Sequence, residues 1–190
     1  MSELRVYDEG QSGRPKRTLK DGAEITSCLS GYGVRFERWS AAHELPAQAT
    51  QDEVIASYRA PIDRLMKQYG FRAVDVVSMA PDNAQKDTLR TKFLAEHTHS
   101  EHEVRFFVEG SGLFYLHAGD AVLGMLCTRE DLISVPAGMT HWFDMGPQPH
   151  FRAIRLFEAP EGWVAHFTGS DIAERYPRYE PPHYANAPAA

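Results

Sequence analysis

Residues 96–110 read Glu96-His97-Thr98-His99-Ser100-Glu101-His102-Glu103-Val104-Arg105-Phe106-Phe107-Val108-Glu109-Gly110, and this stretch decides how the rest of the chain is read. Val104 to Val108 is an apolar run rich in β-formers. Glu109-Gly110-Ser111-Gly112 separates it from a second run, Leu113-Phe114-Tyr115-Leu116-His117. The expectation is strand, tight glycine-containing connection, strand. Working outward, Ala121 to Cys127, Asp131 to Val135, His141-Trp142-Phe143 and Arg152 to Phe157 are further strand runs, and the texture is β throughout from Phe93 to Phe157. Ala118-Gly119-Asp120 and Pro136-Ala137-Gly138 punctuate them. Short strands with a turn signal about every ten residues predict a sandwich or a small barrel.

Upstream, Leu4 to Tyr7, Val34 to Trp39 and Ala73 to Met79 show strand character. Thr50-Gln51-Asp52-Glu53 matches a capping box, in which the Thr50 hydroxyl and the Glu53 carboxylate each satisfy one orphan N–H. Val54, Ile55, Tyr58, Ile62, Leu65 and Met66 then recur at helical spacing. Pro61 lies inside that pattern, so a kink or a junction of two helices is expected there. Asp82 to Arg90 is a further helical candidate, Asp171 to Pro177 a short one, and the Pro/Ala-rich residues 180–190 should fray as a flexible tail. The chain of 190 residues is expected to form one domain, with residues 1–92 packing on a barrel core formed by 93–170.

The composition, 43% hydrophobic and 24% charged with a net charge of −6, argues against disorder. It also lacks the clustered basic face that nucleic acid or an anionic membrane requires. Two cysteines, Cys28 and Cys127, make neither a disulfide framework nor a zinc pattern. With no signal-like or membrane-spanning run, the chain reads as cytoplasmic, and with no long apolar edge as a monomer.

The chemistry concentrates in the opening stretch. Side chains on a strand alternate faces, so His97 and His99 project together, and Glu103 and Arg105 share that parity if no bulge intervenes. His141, in Pro136-Ala137-Gly138-Met139-Thr140-His141, is placed to return as a fourth ligand. His102 has the opposite parity, which suits a supporting or surface role; His117, His150 and His166 are lone and read as surface or hydrogen-bonded core. Imidazole nitrogens with one carboxylate suit a divalent transition metal such as iron, nickel or manganese. Four protein ligands would leave two positions of an octahedron open, which is the mark of a catalytic site. Ser111 and Ser134 lack the glycine-flanked setting of a hydrolase nucleophile.

His97-Thr98-His99, Glu103 and Gly110 match the first cupin motif in full. Pro136 to His141 match the middle of the second, whose usual glycine and final asparagine are replaced by Glu130 and Met145. Together with Asp131 to Gly138, His141 to Gly146 and Pro160-Glu161-Gly162-Trp163, these segments make the chain resemble the acireductone dioxygenases. The resemblance implies a mainly β cupin fold (a double-stranded β-helix, or jelly roll) with a few helices. It implies one Fe(II) or Ni(II) per monomer, held by His97, His99, Glu103 and His141. It implies an enzyme of methionine salvage whose substrates are an acireductone, 1,2-dihydroxy-3-keto-5-methylthiopentene, and O2. The iron form would give 4-methylthio-2-oxobutanoate and formate; the nickel form would give 3-methylthiopropionate, formate and carbon monoxide. Glu96 stands where the family places metal incorporation, His102 where it places a conformational relay, and Arg105 where the substrate dianion forms. Phe93, Phe143 and Trp163 are candidate walls of a pocket for the methylthio tail. The alternatives are another metallo-cupin dioxygenase or isomerase, or a cupin that binds a small molecule without turnover.

Overall fold

The computed structural model describes the whole chain except residues 42, 47, 160–162 and 182–190. Most of the expected tail therefore lies outside the described residues, as does most of the Pro160–Trp163 segment. The architecture is mostly β. The strands are β1 (Glu3–Asp8), β2 (Arg17–Leu19), β3 (Arg35–Arg38), β4 (Ala73–Met79), β5 (His97–Thr98), β6 (Glu103–Ala118), β7 (Ala121–Thr128), β8 (Asp131–Val135), β9 (Thr140–Asp144), β10 (Phe151–Phe157) and β11 (His166–Phe167). Four helices accompany them among the described residues: α1 (Gly22–Ser30), α2 (Gln51–Ser57), α3 (Arg59–Tyr69) and α4 (Lys86–Leu94). No helix of the described residues is long and apolar enough to cross a membrane.

The central element is β6. A hairpin was expected across Glu109 to Gly112, but the structure runs one 16-residue strand through it. The first half of β6 lies between β8 and β10 in the order β4-β10-β6-β8-β3, and its second half lies between β9 and β7 in the order β11-β5-β9-β6-β7-β1-β2. Gly110 makes the passage possible. It sits at φ 69°, opposite Phe151 and next to a register shift at Arg152/Ala153, and a Cβ there would collide with the His150 carbonyl. The glycine bends the strand from one sheet to the other instead of reversing it. The reversal comes later, at Gly119 (φ 67°), between β6 and β7.

The bend also exchanges the faces of β6. Phe107 before it, and Phe114 and Leu116 after it, enter the central core with Leu123, Ile133 and Phe143. Val104, Phe106 and Val108 face outward, where Val54, Tyr58, Ile62 and Leu65 cover them. Leu113 and Tyr115 pack instead against Ile172, Tyr176 and Tyr179 near the C-terminus, where a 3-10 turn, Ile172–Arg175, fills the place of the expected short helix.

The capping box forms as expected, with Thr50 Oγ1 accepting from Glu53 N–H and the Thr50 N–H donating to Glu53 Oε2 at 2.7 Å. The helical pattern around Pro61 resolves into α2 and α3, meeting at Tyr58. Pro61 falls in the first turn of α3, where its missing N–H costs no intrahelical bond. The candidate helix at Asp82 to Arg90 is displaced: α4 starts at Lys86, after a turn at Asn83, and extends to Leu94. Phe93 therefore belongs to a helix and does not open the β region. Glu130, standing where the second cupin motif has glycine, adopts φ 82° in the β7–β8 turn. Its backbone carries two bonds that require this conformation, from its own N–H to Phe107 O and from Trp39 N–H to its carbonyl, both 2.8 Å.

Candidate metal centre

The two sheets bring their residues together at one end of the sandwich. β5 supplies His97, directly opposite His141 of β9. Glu103 opens β6 on the other sheet, opposite Val135, and His99 follows β5 in the connection between them. The Pro136-Ala137-Gly138 turn aims β9. Gly138 takes φ 77° and donates its N–H to His99 O at 2.8 Å, so the segment before His141 is tied to the segment carrying His99. The ligand atoms offered by His97, His99, Glu103 and His141 all lie within 4.8 Å of one another, and all four residues are buried.

Each imidazole is oriented by backbone. His97 Nδ1 lies 2.7 Å from Ala95 O, His99 Nδ1 2.9 Å from Val164 O, and His141 Nδ1 2.9 Å from Met139 O. A carbonyl only accepts, so each Nδ1 carries a proton and each Nε2 is turned inward, where a neutral ring offers its lone pair. Two of these Nε2 atoms, of His99 and His141, stand 3.1 Å from Glu103 Oε2. With the rings neutral, three lone pairs and a carboxylate facing one point repel one another unless a cation lies among them. The donor set therefore fits a metal ion.

The electrostatics agree. Burial favours neutral His97, and the neighbouring His141 adds to this, so its pKa is lowered to about 4. Burial pushes His99 the same way, but the hydrogen bond and charge of Glu103 outweigh it and raise the value. Burial opposes the charge on Glu103; Arg105 and the two histidines overcome that penalty and hold its carboxyl well below the usual range. Arg105, also buried, has its Nε 2.7 Å from Glu103 Oε1, off the line of a well-directed hydrogen bond. Its guanidinium carbon lies 4.7 Å from the centre of the Phe143 ring and 5.7 Å from that of Trp163.

A cavity of about 140 Å³ opens beside these groups. Phe93, from α4, Phe143, from β9, and Trp163 line it, and Arg105 shares it with the four clustered residues. Lys92, Arg155 and Phe167 also line it and were not anticipated. Arg155 lies directly opposite Arg105 across β10 and β6, and Asp75 holds it by two contacts of 2.6 and 2.8 Å. Its strand run was visible in the sequence, but the pairing that puts it beside Arg105 was not.

Glu96 and His102 are not brought into the cluster. Glu96 is buried, with Oε1 2.8 Å from His117 Nδ1 and Oε2 accepting from Thr168 Oγ1 at 2.7 Å. His102 is half-exposed, with Nδ1 2.9 Å from Glu158 Oε1, and its carbonyl accepts from Trp163 Nε1 at 3.1 Å. His117 is thus hydrogen-bonded, His150 lies 3.0 Å from Glu109, and His166 is exposed on β11.

Two sheets sharing a bent strand, with three imidazoles and a carboxylate gathered at one end, define a metal-dependent cupin. A model of the ARD/ARD′ family matches residues 3–165. "Acireductone dioxygenase" of Pseudomonas aeruginosa strain UCBPP-PA14 is 57% identical over 180 residues, covering 95% of this chain and 99% of that protein. That of Stenotrophomonas maltophilia strain K279a is 56% identical over 181 residues, covering 95% and 98%. The solved acireductone dioxygenase from Bacillus anthracis, with a cadmium ion in its active centre, superposes with a TM-score of 0.77 at 28% identity, covering 88% of this chain and 98% of that one. The chain belongs to the ARD/ARD′ family. It is a dioxygenase with a metal cofactor, acting on a small molecule and O2.

Proposed function

We propose that this chain cleaves the acireductone 1,2-dihydroxy-3-keto-5-methylthiopentene with O2 in methionine salvage, using one Fe(II) or Ni(II) held by His97, His99, Glu103 and His141. The observation that carries the reading is the proton arrangement: three Nδ1–H groups committed to carbonyls leave three Nε2 lone pairs and one carboxylate aimed at a common point. When bound, the metal supplies a Lewis acid that lowers the pKa of chelating enediol oxygens.

The remaining work falls to the protein. Arg105, permanently charged and able to donate two parallel hydrogen bonds, stabilises the substrate dianion, which gives electrons to O2 far more readily than the neutral enediol. Lys92 and Arg155 line the same cavity and add positive potential for that dianion. Phe143 and Trp163 pack over Arg105 and exclude water, which strengthens the attraction between guanidinium and dianion. Phe93, Phe143 and Trp163 give the methylthio tail an apolar wall. Glu96 and His102 act at a distance, the first through His117 and Thr168 and the second through Trp163. Residues 93–170 form the metal-binding core and 1–92 its packing within one domain. The enzyme works as a monomer in the cytoplasm, a setting that suits its free thiols Cys28 and Cys127.

The test is to load metal-free protein with iron or nickel, add acireductone anaerobically, then admit O2. The expected result is formate from both forms, with 4-methylthio-2-oxobutanoate from the iron form and headspace carbon monoxide only from the nickel form. Identical products would leave a cupin dioxygenase of another kind, and binding without turnover a cupin that only holds its ligand.

A further inference from the structure

We propose that Arg90 and Asp144 form a latch that holds α4, and through it Phe93, as the wall against which the substrate's tail is recognised, a role that rests on the acireductone reading above. Phe93 and Lys92 of α4 line the cavity at the metal centre, and the Phe93 ring meets the Phe143 ring edge-on with centroids 6.3 Å apart. Where α4 lies therefore decides how much apolar surface the tail can touch.

Little in α4 itself holds it there. Its nine residues, Lys86–Leu94, are fewer than the ~12–15 that an isolated helix needs in water. Its N-cap residue, Gln85, makes no side-chain capping bond, and none of its residues is fully buried. Leu89 and Phe93 pack partly against the central core, and Leu94 partly against the C-terminal cluster.

The tie between α4 and β9 is polar and two-pronged. Arg90 donates from Nε to Asp144 Oδ1 at 2.8 Å and from Nη2 to Oδ2 at 3.1 Å. In this bidentate geometry a guanidinium fixes direction as well as distance. The acceptor is itself fixed: Asp144 is 1% exposed, and its Oδ1 also accepts from Gly146 N–H and its Oδ2 from Tyr179 N–H, both at 2.9 Å. Asp144 directly follows Phe143 on β9, and Arg90 stands three residues before Phe93, one helical turn away on the same face. The latch thus closes one aromatic wall of the cavity onto the other. Arg90 does not line the cavity, and Arg105 and the four clustered residues lie outside α4, so losing the latch frees the wall and leaves the reacting end in place.

The test combines two measurements on the metal-loaded protein. The first is steady-state turnover of the full acireductone and of an analogue whose tail is cut to a methyl group, by the parent, Arg90→Met, Phe93→Ala and the double variant. Arg90→Met should raise KM for the full substrate about tenfold, the effect of roughly one methylene of lost apolar contact, with kcat and the short analogue changed less than about twofold. Adding Arg90→Met to Phe93→Ala should cost less than about twofold more, because the first residue acts through the second, whereas independent effects would multiply. The second measurement is hydrogen exchange: the α4 amides of Arg90→Met should exchange about tenfold or more faster, with those of β6 and β10 unchanged. Should Arg90→Met fail to fold, Arg90→Lys, which keeps the charge but loses the fork, carries the same comparison with effects of about threefold. Multiplying losses, equal losses for both substrates, or α4 exchange that stays at the parent's rate or rises only together with the whole chain would each overturn the latch. A parent that turns over neither acireductone would overturn the substrate reading and the tail role with it, while exchange in α4 would still decide the latch.

Discussion

Replacing Arg105 with methionine keeps an unbranched, apolar side chain but removes the cation from a pair whose members are almost fully buried, at 7% and 2% exposure. Breaking such a pair from one side costs about 3–5 kcal/mol, because the other charge stays buried without its partner. For a domain of this size each kcal/mol moves Tm by about 2–4 °C, so metal-free Arg105→Met should melt roughly 6–20 °C below the parent. With metal loaded the loss should shrink, since a divalent cation beside Glu103 Oε2 replaces the missing positive charge. Turnover should not recover. Two charge-assisted hydrogen bonds to a dianion, at about 1.5–3 kcal/mol each, correspond to a fall in kcat/KM of about 10²–10⁴-fold. The assay has three readings: metal content by elemental analysis, Tm with and without metal, and loss of the enediol absorbance. Metal content near one per chain with turnover within about fivefold of the parent would refute the role of Arg105 in holding the dianion. An equal Tm loss in both forms would refute the electrostatic account of the pair.

His97→Ala, His99→Ala and His141→Ala should each lower metal content below a tenth of the parent's after gel filtration against a weak chelator, because each removes one aimed Nε2. The metal-free protein should be most stable near pH 6.5, by thermal denaturation across pH 4–8. Below that, the unfolded chain binds a proton that buried His97, with its pKa near 4, refuses, so stability falls as pH drops from about 6.5 to 4. Above it, the stability contributed by the raised His99 is lost as pH rises through that group's folded value. His97→Leu should abolish the acid limb, and an unchanged acid limb would assign it to other groups. Glu130→Gly relieves a left-handed residue that costs about 1–3 kcal/mol, offset in part by the exposed contact with Arg38; a Tm rise of a few degrees is expected, and a fall would show that the contact outweighs the strain.

How much of this was legible in residue order depends on the range of the forces involved. Alternation along a strand is local, so Glu103 and Arg105 could be assigned to one face of β6 from the sequence. The single strand expected from His97 to Arg105 is broken between Thr98 and Glu103, because β5 and the start of β6 pair in different sheets. The Thr50–Glu53 capping box, spanning three residues, could be read directly. The ligand set came from spacing together with family resemblance, because His141 is remote in the chain from His97, which the pairing of β5 with β9 sets opposite it, and lies 38 positions beyond Glu103. Gly110 shows where local signals are ambiguous. A positive φ serves equally for reversing a chain and for bending it, and the choice was made by β10 and β8 already flanking the strand. Glu130 shows the converse, since a non-glycine residue accepts the left-handed conformation when two backbone bonds demand it.

The sequence by itself determined the β texture, the identity of the four converging side chains and the chemistry they favour, since residue type and period are written in the order of the chain. Only the tertiary structure decided that β6 is continuous, that Arg155 stands opposite Arg105, that Glu96 and His102 stay outside the cluster, and that Arg90 of α4 meets Asp144 of β9. Those outcomes depend on which strands pair and which faces meet. They are settled by packing between segments far apart in sequence, where no short window of residues holds the information.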